Sequence, residues 1–251
     1  MTSTAPSAPA AGPSARPGPP LLVACALGVE RWALRGGDWS GGRAVLTATG
    51  MGPLRARKTV SALLGDGGSA YGGLLAVGFC AAAGRGIRPG DAVVATGVRD
   101  EGECSIEIPS SGLLARLLRD QGMTVHTGLL HSADQVVRGA EARARLHTAG
   151  VTGIDMETAA VLSAARRGAP RLPFAAVRIV VDTPERELLR PGTVPGGVRA
   201  WRALRSTVPA LTAWHRTLAG RPDTADQGAR PHRNSAMPSD TPTRTLPQEA
   251  S

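Results

Sequence analysis

Carboxylates stand where apolar runs of this chain end. In "GIDMETAA", residues 153–160, Asp155 and Glu157 flank Met156 at the point where a buried-looking run passes into an alanine-rich stretch. The run "VRIVVD" ends in Asp182, and the first apolar run, Leu21–Leu27, is followed by Glu30. A carboxylate shielded from water holds its proton more tightly than a solvated one, so acids at such places suit general acid–base chemistry. Two further run ends carry small or special residues, Gly50-Met51-Gly52 and Gly78-Phe79-Cys80-Ala81.

For these residues to act together, the elements that carry them must converge. Short apolar runs bounded by Gly, Pro or Asp recur at Leu21–Leu27, Ala44–Thr49, Leu74–Phe79, Asp91–Val98, Met123–Leu130, Val151–Met156 and Phe174–Val181. Continuous runs of this length read as strands buried on both faces. Helical patterns fall between several of them, at Leu54–Leu64, Ser110–Gln121, Asp134–Ala149 and Glu157–Gly168. The alternation predicts an α/β fold of three layers, α/β/α, around a central mixed and largely parallel sheet. In such a sheet the carboxyl ends of the strands share one edge, which places Glu30, Glu157 and Asp182 in one pocket. The stretch 196–220 reads as two short helices broken at Pro209, with Ser206 or Thr207 capping the second. Its apolar stripe, with Trp201 and Trp214, is either core packing or, together with Arg199, Arg202, Arg205 and Arg216, a basic amphipathic surface for an anionic membrane.

Composition narrows the class. Residues 1–20 and 222–251 are poor in large apolar side chains and read as disordered tails around one domain at 21–221. Within 21–221 there are 25 Lys and Arg against 16 Asp and Glu, so the formal charge of +9 belongs to the folded part. One Tyr, two Phe and four Trp are too few aromatics for nucleic-acid binding. Cys25, Cys80 and Cys104 lack CxxC spacing, and the five histidines lack paired-ligand spacing, so neither a disulfide framework nor a metal site is expected. Reduced thiols, and no apolar run near the roughly 20 residues of a membrane span, point to a cytoplasmic protein.

"TGMGPLRA", residues 49–56, lacks the third glycine of a dinucleotide fingerprint, and no GK[ST] occurs anywhere. It remains a glycine turn at a helix N-terminus, either facing an anion or sugar hydroxyl or simply turning the chain.

Taken together, "GIDMETAAV", "AAVRIVVD", "LLAVGFCAAAGRGIRPGDAVVATGVRDEG" and "GMGPLRARKTV" resemble, in their order, the nucleoside phosphorylase superfamily. That group includes the purine nucleoside phosphorylases and the methylthioadenosine/S-adenosylhomocysteine nucleosidases. The resemblance runs from about Leu21 to Trp214, and the "D-x-P" of Asp182-Thr183-Pro184 with the Trp- and Arg-bearing C-terminal segment is most like the hopanoid-associated phosphorylases. It implies cleavage of a purine N-glycosidic bond by phosphorolysis or hydrolysis. The favoured substrate is adenosylhopane; a methylthioadenosine/S-adenosylhomocysteine nucleosidase, a futalosine-type hydrolase and an inactive nucleoside-binding protein are the alternatives.

The resemblance gives Asp182 the leaving base at N7, with a raised proton affinity among other carboxylates; the plain alternative is an acid that caps the following loop. It makes Glu157 a clamp on the ribose hydroxyls, with Met156 against the sugar, unless Glu157 only favours a helix N-terminus. Glu30 aligns with a water-activating acid, or opens an ordinary helical turn. Phe79, Cys80, Ala81 and Val136, the last in the segment Ser132–Val136, complete the expected substrate contacts, whereas Asp155 is expected to be structural. No cofactor is implied beyond inorganic phosphate as a co-substrate, for which Gly52, Arg55 and Arg178 are the candidates. A homo-oligomer and peripheral contact with the inner face of a membrane are further expectations. Two departures from the pattern stand out, namely Val181 where relatives carry Ser and Ala76-Val77 where phosphorolytic relatives place an arginine.

Overall fold

The computed structural model describes residues 18–65, 70–102, 105–184 and 194–220. The expected tails, apart from residues 18–20, lie outside these, as does Cys104. The strands are β1 (Leu21–Cys25), β2 (Ala44–Ala48), β3 (Gly73–Ala82), β4 (Ala92–Arg99), β5 (Ser105–Glu107), β6 (Val125–Ser132), β7 (Val151–Asp155) and β8 (Phe174–Asp182). The helices are α1 (Gly28–Arg35), α2 (Pro53–Leu64), α3 (Ser111–Asp120), α4 (Ala140–Thr148), α5 (Thr158–Gly168), α6 (Val194–Ser206) and α7 (Val208–Ala219).

All described strands belong to one mixed sheet. Parallel pairs join β1 to β2 and β3, β3 to β8, and β6 to β4 and β7. Antiparallel pairs join β3 to β7, and β4 to β5 and β8. The fold is therefore α/β with helices flanking the sheet, as the alternating pattern predicts. It differs from an open layered sheet in one respect: β3, β8, β4, β6 and β7 pair around a closed circuit. The apolar runs foretell strands but carry no record of which strand each will meet, so the closure is a property of pairing register.

Register also brings the functional ends together. β3 runs beside β8 from Leu74↔Phe174 to Cys80↔Val180, then a shift between Cys80 and Ala81 sets Ala81 opposite Asp182. Beyond that irregularity Ala81 and Ala82 pair with Ile154 and Gly153 of β7. A bulge bends a strand and re-aims its side chains. Here it lets the end of β3 touch the ends of both β7 and β8.

The helices pack in pairs, α2 with α5, α1 with α6 and α3 with α7. α2 begins at Pro53, directly after Gly52, whose φ of 95° suits glycine. α4 starts at Ala140, later than the periodicity predicts: the amide of Ala133 is tied to the Asp155 carbonyl, and the turn is made at Gly139 with φ 83°. The freed loop, residues 133–139, becomes a wall of the site. α6 and α7 meet at Thr207, with Pro209 in the first turn of α7, but the expected side-chain cap is not made: the Thr207 hydroxyl donates back to the Leu204 carbonyl at 2.7 Å. Trp214 is fully buried and donates to the Ser110 carbonyl at 3.4 Å, so it is core and takes no part in an amphipathic surface.

Candidate active site

A cavity of about 180 Å³ lies at the convergence of β1, β3, β7 and β8. Glu30, Phe79, Cys80, Ala81, Val136, Met156, Glu157 and Asp182 all line it. Gly52, Arg55 and Arg178 do not. The structure adds lining residues that nothing in the sequence singles out, among them Val137 and Arg143.

Glu30 sits in the first turn of α1 with its carboxylate turned inward. Its Oε2 accepts from the amides of Ala26 and Leu27, each at 2.8 Å, and its Oε1 from the amide of Phe79 at 2.7 Å. Burial pushes its proton affinity above the ordinary carboxylate range, and the Arg178 guanidinium and these amides offset part of that rise. Three N–H donors fix the side chain across the junction of two strands.

Arg178, expected at phosphate, lies behind the cavity wall. It is 1 % exposed and bonds Asp155 at 2.7 Å. Its Nε and Nη2 donate to Thr158 Oγ1 at 3.0 and 2.8 Å, and that hydroxyl donates to Asp155. Ser132 Oγ donates to the other Asp155 oxygen at 2.5 Å and accepts from the amide of Ala159 at 3.0 Å. Asp155, though it borders the cavity, is thus engaged in holding the β7–α5 junction. A methyl group on Gly78 would come within 2.6 Å of both Arg178 Nη1 and Glu30 Oε1. Only glycine lets the two side chains approach there.

Glu157 stands immediately before α5, at its N-cap position, and its Oε1 accepts from the Gly52 amide at 3.0 Å. That amide is therefore committed to Glu157 and not open to an anion. Arg55 is exposed on α2, its side chain packed over Gly50. A carboxylate at a helix N-terminus gains about 0.3–1 kcal/mol from the dipole. Burial nonetheless dominates, since the proton affinity of Glu157 is pushed up, with Arg178 and the Gly52 amide acting against it.

A pH dependence follows for stability. In the window between the ordinary carboxylate range and the raised value, the folded state binds more protons at Glu157 than the unfolded one, so stability falls as pH rises through it. Glu157→Gln keeps the Gly52 bond and removes this contribution. Melting temperatures measured across pH should therefore fall less steeply for the variant than for the wild type. Parallel melting curves would show that burial does not govern this carboxyl.

Asp182 does not sit among carboxylates alone, which corrects the sequence-based expectation. Arg143 of α4 grips it with two bonds, Nη1 to Oδ1 at 3.2 Å and Nη2 to Oδ2 at 2.7 Å. Nothing in "GAEARARLH" sets Arg143 apart from the solvated arginines around it. Cys80 is buried and its thiol is driven far up by desolvation, which excludes it as a nucleophile at neutral pH. Among the described residues no group of three or more His, Cys, Asp or Glu is placed to hold a metal ion.

A second cleft, about 590 Å³, adjoins the first and shares Leu27, Phe79 and Val181 with it. Its other walls are Val29 and Trp32 of α1 and Gly197, Val198 and Trp201 of α6. The two indole rings stand 5.2 Å apart, and Trp32 is 66 % exposed.

The sequence profile of the phosphorylase superfamily matches residues 27–194, well over half of the chain. The chain belongs to the phosphorylase superfamily. Its fold is that of the methylthioadenosine/S-adenosylhomocysteine nucleosidase of Neisseria meningitidis in complex with methylthio-immucillin-A, at 19% identity and TM-score 0.65 over 78% of this chain and 99% of that one. A futalosine hydrolase mutant of Helicobacter pylori matches at 13% identity and TM-score 0.64, covering 77% and 98%. The Campylobacter jejuni methylthioadenosine/S-adenosylhomocysteine nucleosidase matches at 13% and 0.65, covering 80% and 100%. No curated protein matches the sequence. Membership of the phosphorylase superfamily makes this chain an enzyme of N-glycosyl bond cleavage, and the cavity is its candidate active site.

Proposed function

We propose that this enzyme hydrolyses the N-glycosidic bond of adenosylhopane, releasing adenine and a ribosylhopane. The observation that carries the reading is the apolar cleft that adjoins the carboxylate-lined cavity. With the ribose held at Glu157 and Met156, the substituent on its C5′ has the tryptophan-walled cleft to enter, and a large hydrocarbon would remove much apolar surface from water there. Adjacent arginines on α6, Arg199, Arg202 and Arg205, are exposed and suit approach to an anionic membrane that holds such a lipid.

Water is the favoured acceptor. Glu30, Asp155, Glu157 and Asp182 border the cavity, against Arg143 as the one cation among the described lining residues, and Arg143 is paired to Asp182. A phosphate dianion would meet mostly negative charge. In the proposed reaction the C1′–N9 bond breaks with its electron pair passing to the base, held at Asp182. Water adds its oxygen to C1′ and gives its proton to Glu30, which burial makes a better base than an ordinary carboxylate. The purine anion takes a proton from solvent water as it leaves, and Glu30 returns the one it accepted to solvent, so that no net proton is gained or lost.

A second reading, a methylthioadenosine/S-adenosylhomocysteine nucleosidase, draws support from the names of the structural neighbours. A methylthio group would fill only a corner of the cleft. Adenine release is to be assayed from adenosylhopane and from methylthioadenosine, each with and without phosphate. Release from adenosylhopane at a phosphate-independent rate is expected. Strict dependence on phosphate would overturn hydrolysis, and release from methylthioadenosine alone would replace the lipid substrate by the second reading.

A further inference from the structure

Except for Val45, every exposed large apolar side chain among the described residues stands at the mouth of the cavity and the adjoining cleft. Val29 and Trp32 of α1 and Val198 of α6 wall the cleft, Met51 and Val136 wall the cavity, and Leu54 follows Met51 in the first turn of α2. Apolar residues scattered singly over a surface need no explanation, but a ring drawn from four separate parts of the chain around one opening does. The charge around it is one-sided. Every Arg and Lys of α1, α2 and α6 is exposed, while the sole acid on those helices, Glu30, is buried and turned inward. On the loop 133–139 the exposed Asp134 and Arg138 cancel.

We propose that this mouth docks face down on an anionic lipid bilayer. The apolar ring enters the boundary between headgroups and acyl chains, a depth that suits the indole of Trp32, and the cations behind the ring meet the lipid phosphates. Basic charge alone would hold the protein near a membrane in any orientation. The ring fixes which face is down. A second copy of this chain fits the ring less well, because a two-fold contact sets the same cations against each other, whereas an anionic surface attracts all of them. Docking also gives the two hollows a common entrance, and here the inference rests on the nucleolipid reading above. With the mouth on the bilayer, the hydrocarbon on C5′ passes from membrane to cleft without crossing water, and the nucleoside follows into the cavity.

The test is flotation of the full chain with vesicles that contain no nucleolipid, made of phosphatidylcholine alone or of phosphatidylcholine with phosphatidylglycerol. Binding to the mixed vesicles is expected, with weaker binding to the neutral ones and a decline as salt is raised. Leu54 is 79 % exposed and lines neither hollow, so Leu54→Glu disturbs neither the core nor the substrate contacts. It should lower partitioning by about 10-fold or more, through lost apolar burial and added repulsion. Arg199→Glu with Arg202→Glu should reduce the preference for phosphatidylglycerol. Brominated lipid should quench the tryptophan fluorescence of the wild type, and Trp32→Phe should lose most of that quenching, since Trp214 lies in the core. No binding to mixed vesicles at low salt, equal binding of Leu54→Glu, or unchanged quenching in Trp32→Phe would each overturn the inference. So would a dimer that Leu54→Glu dissociates, in a protein that ignores vesicles. Vesicle binding without cleavage of adenosylhopane would leave the docking face standing and remove the proposed function, whereas cleavage of detergent-dispersed adenosylhopane by a protein that ignores vesicles would do the reverse.

Discussion

Asp182→Asn lowers the rate of base release by about 10²–10⁴-fold while leaving a protein that folds. The rate loss is the size expected when a positioned group that interacts with a leaving group is neutralised. Stability falls as well, but by a separable amount. Arg143 keeps one hydrogen bond, to the oxygen of the introduced amide, and loses a charge-assisted one, which costs about 1.5–3 kcal/mol. Asp182→Ala strands the buried guanidinium altogether and costs about 3–5 kcal/mol. Thermal melts should therefore rank wild type above the Asn variant and the Asn variant above the Ala variant, whereas the assay should find both variants nearly inactive. A fully active Asp182→Asn would reduce Asp182 to a counter-ion for Arg143 or a cap for its loop, and the leaving-group role would be lost.

The contrast between these residues shows which physical signals a sequence carries. Asp182 is legible because it ends a continuous apolar run, and β8 is buried along nearly all its length. Glu157 is legible for the same reason, standing between β7 and the alanine-rich α5. Such runs mark strands wherever both faces are covered, so most of the sheet can be drawn before any contact is known. The three-residue β5 has too short a run to register. Arg143 is not legible at all: in a stretch with Arg138 and Arg145 nearby, only the pairing geometry shows which arginine turns inward. Arg178 misleads for the opposite reason. An arginine in a buried strand near candidate carboxylates reads as an anion site, yet β8 is flanked by β3 and β4, and Asp155 and Thr158 hold the guanidinium behind the cavity wall. The closed circuit of strands is likewise hidden, since it depends on the slip at Cys80 and Ala81 and not on apolarity.

Arg178 is consequently where the largest loss of stability is expected. Arg178→Met removes the cation bonded to Asp155 in a place where both side chains are 1 % exposed. Asp155 keeps its bonds from Ser132 and Thr158 but remains a buried carboxylate without a counter-charge, at a cost of about 3–5 kcal/mol. For a domain of this size each kcal/mol lowers the melting temperature by about 2–4 °C, so a fall of about 6–20 °C is expected. The damage reaches the site through charge. Arg178 is also the strongest influence holding down the proton affinities of Glu30 and Glu157 against burial, and its loss moves both further up. The acid limb of the pH–rate profile, where Glu30 must give up its proton to act as a base, should then shift to higher pH. Adding Asp155→Asn removes the stranded charge, so the double variant should recover part of the stability, and the two changes should be less than additive. Recovery of stability without return of the acid limb is the expected signature, because Asp155 neighbours Arg178 whereas Glu30 still lacks it. A melting temperature within about 2 °C of wild type for Arg178→Met, a fall smaller than about 1 kcal/mol would give, would show that the buried ion pair contributes little to the fold.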